Sequence, residues 1–101
     1  MYKIVFSTLA SLDIALIKSY IKWKLNNPSS AETIVNKIET VIRSLDCFPL
    51  RYPVTSSVGK NIRRIPIKKY NIYYSVNESE KTVTIMRILY AGIDIRKITF
   101  E

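Results

Sequence analysis

Five basic side chains lie between residues 60 and 69, and no acidic residue interrupts them. A basic cluster of this kind attracts phosphate backbones or an acidic protein. The same pattern is typical of an edge strand whose lysines prevent aggregation, and charge alone favours neither interpretation. The five residues are Lys60, Arg63, Arg64, Lys68 and Lys69.

The composition excludes several kinds of catalytic site. The 101 residues contain no histidine, which removes the commonest general base and the usual zinc ligand. The single cysteine, Cys47, excludes an intramolecular disulfide and a multi-cysteine metal site, and we expect it to be a small buried hydrophobic residue. We therefore expect no metal or other cofactor, and no Ser-His-Asp or Cys-His nucleophile.

The net charge of +8 comes mostly from the second half of the chain. Residues 1–50 contain six basic and four acidic residues, whereas residues 51–101 contain ten basic and four acidic residues. A length of 101 residues predicts one domain over residues 1–101, and 48% apolar residues suffice for its core. No apolar run has the ~20 residues of a membrane span. We expect a cytoplasmic protein without membrane contact.

Hydrophobic periodicity predicts the secondary structure that positions these residues. Alternating apolar residues predict a first strand over Tyr2 to Phe6, and two helices and three strands follow. The tail from Asp94 to Phe100 is compatible with a short strand or a helical turn. The predicted helices run from Thr8 to Asn26-Asn27-Pro28 and from Ser29 to Leu45; a long connection spans Asp46 to Lys60; the strands span 61–67, 70–76 and 81–90.

The first helix carries an apolar stripe at spacings of three and four residues, which predicts that this side is buried. Trp23 belongs to the stripe, so we expect it in the core. Asp13 lies outside the stripe and is expected to cap the helix or to pair with a lysine. The stripe consists of Leu9, Leu12, Leu16, Tyr20 and Trp23, and Ile17 and Ile21 widen it.

The order β-α-α-β-β-β predicts an α+β fold: an N-terminal strand, an antiparallel helical hairpin and a three-stranded antiparallel meander. The first strand must pair back with the meander, and both helices are expected on one face of the small curved sheet. The other face is expected to be open and basic, which suits a large partner better than a metabolite. Tyr73 alternates with Tyr70 and Tyr74, so at least one tyrosine should reach this face beside Arg64.

Motifs along nearly the whole chain resemble the RelE/ParE superfamily of toxins, and the resemblance is closer to its ParE-like branch. They occur in the family's order, which is more specific than any one of them. They are Tyr2-x-Ile4-x-Phe6-Ser7, Ala10-x-x-Asp13, Ile17-x-x-Tyr20-Ile21, Asn27-Pro28-x-x-Ala31, Leu45-x-x-Phe48-Pro49, Arg64-x-x-x-x-x-Tyr70-x-Ile72-x-Tyr74 and Arg87-Ile88-Leu89-Tyr90-x-x-x-Asp94-Ile95.

The resemblance implies the toxin of a type II toxin-antitoxin system of the plasmid-stabilising kind: a stable toxin that a labile, acidic antitoxin holds inactive in a hetero-oligomer. ParE-like members inhibit DNA gyrase and are not nucleases. RelE-like members are mRNA interferases that cut mRNA in the ribosomal A site. The resemblance thus implies an antitoxin partner and either gyrase or the ribosome and its mRNA as the target.

Metal-free RNA cleavage requires groups that activate the 2′-hydroxyl, stabilise the phosphorane and protonate the leaving oxygen. In the nuclease branch these are a basic residue on the second strand, an Arg at the start of the third, a basic residue after the fourth and a C-terminal Tyr or His-Tyr pair. Arg64 matches the first position. The other three fall on Asn71, on Ile93 and near Thr99 or Phe100, which favours the ParE-like branch.

The sequence is therefore compatible with two functions. The first is a non-enzymatic inhibitor that binds gyrase through the basic surface. The second is a metal-independent, ribosome-dependent endoribonuclease, whose catalytic residues would be Arg64, Lys69, Arg87 and Tyr90. A non-toxic nucleic-acid-binding domain would explain the charge but not the motifs. The predicted target-binding residues are Lys60, Arg63, Arg64, Lys68, Lys69, Tyr73 and Arg87.

Overall fold

The computed structural model describes residues 1–24, 28–55, 59 and 61–100. These residues form β1 (Lys3–Phe6), α1 (Thr8–Ser19), α2 (Pro28–Ser44), β2 (Ile62–Ile67), β3 (Tyr70–Asn77) and β4 (Thr82–Tyr90). The helix α1 continues as a π-helical segment, Tyr20–Lys24, and one 3-10 turn spans Ile95–Lys97. The predicted order of elements is confirmed. The predicted end of the first helix at Asn26 and Asn27 lies outside the described residues.

The four strands form one open, mixed sheet in the order β1-β4-β3-β2. The strand β1 is parallel to β4, with Lys3 opposite Thr82 and Phe6 opposite Ile85. The other pairs are antiparallel, and β2 turns into β3 through Lys68 and Lys69. The first strand therefore pairs back with the meander as predicted, and it covers only the first half of β4.

Both helices pack on one face of the sheet, which confirms the predicted α+β architecture. Ile38 and Ile42 on α2, and Leu45 directly after it, are buried in one cluster with the strand residues Ile72 and Ile85. Complete burial of one such side chain contributes about 1.5–3 kcal/mol. The core therefore forms between the helices and this face. Its other fully or nearly fully buried members are Ala10, Ile17, Ile21, Ile65, Tyr70, Tyr74, Val83 and Ile88.

The helix α1 presents a different side to the core than the sequence predicts. Leu12, Leu16, Tyr20 and Trp23 are 55%, 67%, 52% and 74% exposed, so the prediction that they are buried is wrong. The buried side consists of Ile17 and Ile21, which the predicted stripe includes, together with Ala10 and Asp13, which it does not. The small side chain of Ala10 allows a close approach to the sheet, and Asp13 accepts a hydrogen bond from the Ile88 N–H at 3.0 Å.

The second face of the sheet is covered in part by the C-terminal tail. Phe100 lies edge-on to Tyr73, with 5.0 Å between ring centroids, and Tyr73 is only 5% exposed. Ile95 and Ile98 pack against the same cluster. The expectation of an open face is therefore wrong around Tyr73, because the tail, whose structure the sequence left undecided, folds across it.

Candidate target-binding surface

Three of the predicted target-binding residues share one row across the sheet. Arg64 on β2 is opposite Tyr73 on β3, and Tyr73 is opposite Arg87 on β4. A β-bulge between Tyr73 and Tyr74 shifts the register next to this row. Arg64 is exposed, whereas Tyr73 is buried beneath Phe100. Within the row, a large partner can therefore reach Arg64 directly.

The guanidinium of Arg87 is engaged by other parts of the chain. Its Nε lies 2.7 Å from Asp13 Oδ2 and its Nη2 lies 2.9 Å from Asp13 Oδ1, a bidentate salt bridge. Its Nη1 donates to the Thr99 carbonyl at 2.7 Å. The hydrogen bonds to Asp13 raise the pKa of Arg87 despite partial burial. The predicted lysine partner of Asp13 is thus wrong: Asp13 pairs with Arg87, and the two join α1, β4 and the tail.

Arg63 holds the connection that follows α2. Its Nη1 donates to the Tyr52 carbonyl at 2.6 Å and lies 3.4 Å from the Leu50 carbonyl. The Tyr74 hydroxyl donates to the Pro49 carbonyl at 2.7 Å, and burial raises the pKa of Tyr74. The guanidinium of Arg63 therefore contacts the connection. Lys60, the first residue of the predicted basic cluster, lies outside the described residues.

Another group of candidate residues lies at the end of the sheet. Lys68 and Lys69 are exposed in the β2–β3 turn, and the Lys69 carbonyl accepts a hydrogen bond from the Ala91 N–H at 2.8 Å. Tyr90 is 52% exposed and lies edge-on to Tyr70, with 6.2 Å between ring centroids. Burial raises the pKa of Tyr70, and electrostatic repulsion from Tyr20 and Tyr90 raises it further.

The four candidate catalytic residues thus fall into two groups. Arg64 and Arg87 lie in the middle row, whereas Lys69 and Tyr90 lie at the end of the sheet. Arg87 and Tyr90 are three positions apart along β4, which corresponds to about 10 Å. Arg64, Lys68 and Lys69 are the members of the predicted surface that are exposed and described.

Two features that bear on function are not predicted from the sequence. One is the outward side of α1, where Leu12, Leu16, Tyr20 and Trp23 form an exposed apolar stripe. The sequence does indicate this surface, because the apolar stripe, widened by Ile17 and Ile21, extends further around the helix than one core-facing side requires. The other missed feature is Lys37 on α2, which no motif singles out.

Cys47 is exposed, so the expectation that it is buried is wrong. The hydrogen bond and charge of the neighbouring Asp46 raise the pKa of its thiol, which disfavours the reactive thiolate. In the parts of the chain that the structure describes, no helix has the length and apolarity to cross a membrane. Within the same ranges, no three His, Cys, Asp or Glu residues gather as metal ligands.

The chain matches the family model of the ParE toxin of the type II toxin-antitoxin system parDE over residues 4–95. It is similar in structure to a chain of the chromosomal ParDE toxin-antitoxin system from P. aeruginosa, with a TM-score of 0.76, 18% identity, and coverage of 91% of this chain and 98% of that chain. It is also similar to a chain of the toxin-antitoxin complex RelBE2 from Mycobacterium tuberculosis, with a TM-score of 0.63, 18% identity, and coverage of 88% and 96%. These two likenesses show the fold. No curated protein matches the sequence significantly.

Proposed function

The chain belongs to the ParE toxin family of type II toxin-antitoxin systems, and on this premise we propose that it arrests bacterial growth by inhibiting DNA gyrase in the cytoplasm. It does so by binding, without a catalytic step of its own. The surface that meets the gyrase or its bound DNA contains Arg64, Lys68 and Lys69. A cognate acidic antitoxin neutralises the toxin by forming a complex with it.

The position of Arg87 supports inhibition by binding over RNA cleavage. Each nitrogen of its guanidinium has a partner within the chain, at Asp13 or Thr99. To neutralise a scissile phosphate, Arg87 would have to leave a carboxylate that is itself buried, and an unpaired buried charge is costly. Of the remaining nuclease candidates, Arg64 lies in the middle row, whereas Lys69 and Tyr90 lie at the end of the sheet. Among the described residues, these candidates therefore do not surround one point as general acid, general base and phosphate ligand.

Two assays of the purified full-length protein test this proposal. We expect it to inhibit DNA supercoiling by gyrase and to leave mRNA intact in a reconstituted ribosome assay. Arg64→Ala should weaken gyrase inhibition, whereas Arg96→Ala, a matched loss of an exposed arginine, should not. Cleavage of mRNA that Arg64→Ala abolishes would refute the proposal in favour of the endoribonuclease.

The outward side of α1 supports an antitoxin contact. Four large apolar side chains there are more than half exposed: Leu12, Leu16, Tyr20 and Trp23. A contiguous exposed apolar surface of this kind is typical of a protein interaction site. Lys18 and Lys22 lie beside the stripe, and the Lys22 ammonium lies 5.3 Å from the centroid of the Trp23 ring. An amphipathic antitoxin segment with acidic flanks would complement both the apolar and the basic groups.

The antitoxin contact is tested by co-expression with the short acidic protein that we expect the neighbouring reading frame to encode. Leu16→Asp should weaken the complex by roughly a hundredfold, because it places an unpaired charge in an apolar interface. Leu50→Asp is the matched control, since Leu50 is also an exposed leucine but lies in the connection after α2. Equal affinities for the two variants would place the antitoxin elsewhere.

A further inference from the structure

A second basic region lies on α2, next to the β2–β3 turn, whose Lys68 also belongs to the surface that we propose for gyrase binding. An open cleft of about 450 Å³ lies between α2 and the end of β2. Its apolar lining comes from Val41 and Ile67, and its polar lining from Thr33, Asn36, Lys37 and Thr40. Hydroxyl, amide and ammonium groups thus line one side of an otherwise apolar cleft.

Two further cations lie beside this cleft. Lys68 directly follows Ile67, and its hydrogen bonding and positive charge lower the pKa of Lys37, so the two side chains lie close together. Arg43 lies on the other side, with its Nη2 3.5 Å from Thr40 Oγ1. The cleft is therefore bordered by Lys37, Lys68 and Arg43.

The salt bridges found among the described residues do not include the charges that border the cleft. They join Asp13 to Arg87 and Asp94 to Arg96. Of the two acidic residues on α2, Glu39 lines a different cleft, next to Lys18 and Lys22, and Glu32 is exposed. Two like charges in contact repel each other, and an anion between them converts the repulsion into two attractions.

The backbone of Lys68 adopts an uncommon conformation beside the cleft. Lys68 has φ +54°, in the left-handed region that residues other than glycine rarely adopt, and Asn61 and Lys81 share this conformation. A turn between two paired strands would accept glycine at this position without strain. The chain instead has a lysine here. Strained backbone positions are concentrated at binding sites.

From these observations we propose that the cleft between α2 and the β2–β3 turn binds a phosphate group, with Lys37 and Lys68 as its principal ligands. Lysine is a common phosphate ligand. The Asn36 amide and the threonine hydroxyls line the same cleft, and a phosphate offers more acceptor oxygens to such a set of donors than a carboxylate does. The phosphate belongs to a nucleic-acid backbone or is the free ion, because the chemistry of recognition is shared.

The first test is a titration of the full-length, ¹⁵N-labelled protein with inorganic phosphate at constant ionic strength. We expect saturable shifts of the backbone amide signals of Thr33, Lys37 and Thr40. Lys37→Gln should weaken phosphate binding roughly tenfold or more, since one charge-assisted hydrogen bond is lost. Lys97→Gln, which removes one exposed positive charge elsewhere, should leave the affinity unchanged. Equal affinities for both variants, or shifts that never saturate, would overturn the proposal.

A second variant separates lost binding from lost folding. Lys68→Gly removes the ammonium and relieves the left-handed strain, so this variant should fold at least as stably as the wild type in phosphate-free buffer. Added phosphate should raise the melting temperature of the wild type and should raise that of Lys68→Gly much less. An equal rise for both proteins would contradict the assignment of Lys68.

The source of the phosphate is identified by repeating the titration with a short DNA duplex. If Lys37→Gln weakens binding of the duplex by the same factor as binding of inorganic phosphate, the ligand is a nucleic-acid backbone; if only inorganic phosphate is affected, it is the free ion. Poly-glutamate that binds at these residues in place of phosphate would overturn the proposal in favour of an acidic protein. None of these measurements contains gyrase or antitoxin, so their failure leaves the proposed toxin function standing.

Discussion

The two sides of α1 differ in a way that reverses the usual expectation. The inward side carries Ala10 and a charged residue, Asp13, together with Ile17. The outward side carries two leucines, a tyrosine and the only tryptophan of the chain, and all four are more than half exposed. The more strongly apolar side of the helix is thus the one that does not contact the core.

Apolar periodicity thus identifies a surface that will be buried, but it does not distinguish burial against the core from burial against a partner protein. The inward side is selected by contacts with β4: close approach at Ala10 and the polar contacts of Asp13. The outward side has the composition of an interface core, in which aromatic residues are enriched. One helix therefore contributes to two hydrophobic surfaces, one within the chain and one that we assign to a partner.

The largest effect is expected at Asp13, the charged residue on the inward side of α1. Asp13→Ala leaves the partly buried Arg87 without its carboxylate and removes the acceptor for the Ile88 N–H. We expect the free energy of unfolding to fall by about 3–5 kcal/mol, as when one partner of a buried pair is deleted. Urea denaturation measures this change. Asp94→Ala, which breaks the exposed pair with Arg96, is the matched control and should have little effect.

Neighbouring residues on opposite sides of α1 provide the most direct comparison. Ile17 is 7% exposed and Leu16 is 67% exposed. Ile17→Ala should reduce the free energy of unfolding by about 2–3 kcal/mol, near the lower end of values for buried isoleucine. Leu16→Ala should change it by less than about 0.5 kcal/mol. Equal losses in thermal or urea unfolding would mean that Leu16 is part of the core after all.

Ser7 determines where α1 begins, and so which side faces the sheet. Its hydroxyl accepts a hydrogen bond from the Ala10 N–H at 3.0 Å and donates to the Met86 carbonyl at 2.8 Å. Ser7→Ala removes both bonds and should cost about 1 kcal/mol of stability, a typical value for an N-cap. Ser7→Asp retains the cap acceptor but not the donor to Met86, so an intermediate loss would separate the two contributions in the same unfolding assay.

The smallest effect is a change in fluorescence, which is measured on the outward side of α1 without any substitution. Trp23 is the only tryptophan, so its fluorescence reports on the stripe alone. Because Trp23 is 74% exposed, the folded toxin should show solvent-exposed emission that acrylamide quenches readily. Binding of the antitoxin should shift the emission to shorter wavelength and reduce quenching. Emission that is already protected in the isolated toxin would contradict the exposed position of Trp23.

Much of the fold is predictable from the sequence because its determinants are local. Alternation in Tyr70 to Val76 and helical spacing in Ile34 to Leu45 identify the elements, and short turns require an antiparallel meander. The orientation of α1 is not predictable in this way, since it depends on Asp13 meeting Arg87 across 74 positions. A local pattern contains no information about such a pair.

The candidate surface was predictable only in part for a related reason. Arg64, Lys68 and Lys69 are exposed, as a basic run between two apolar strands suggests. Tyr73 and Arg87 have the residue types of a binding site, but the path of the tail decides their environment: Phe100 covers one and Thr99 bonds to the other. That path follows from tertiary packing, because the tail has no strong periodicity of its own.

Because β1 pairs with β4, the sheet cannot be completed during synthesis until β4 has been made. Ser7 bonds to Met86, 79 positions later, so the N-terminal strand has no partner until β4 has been made. At a rate of 5–20 residues per second, this delay is roughly 4–16 s. Throughout it, the inward side of α1 lacks the strand that selects it, and the row from Arg64 to Arg87 does not yet exist. While β2, β3 and β4 are being made, the chain on the ribosome therefore already contains the outward side of α1 but not the complete sheet.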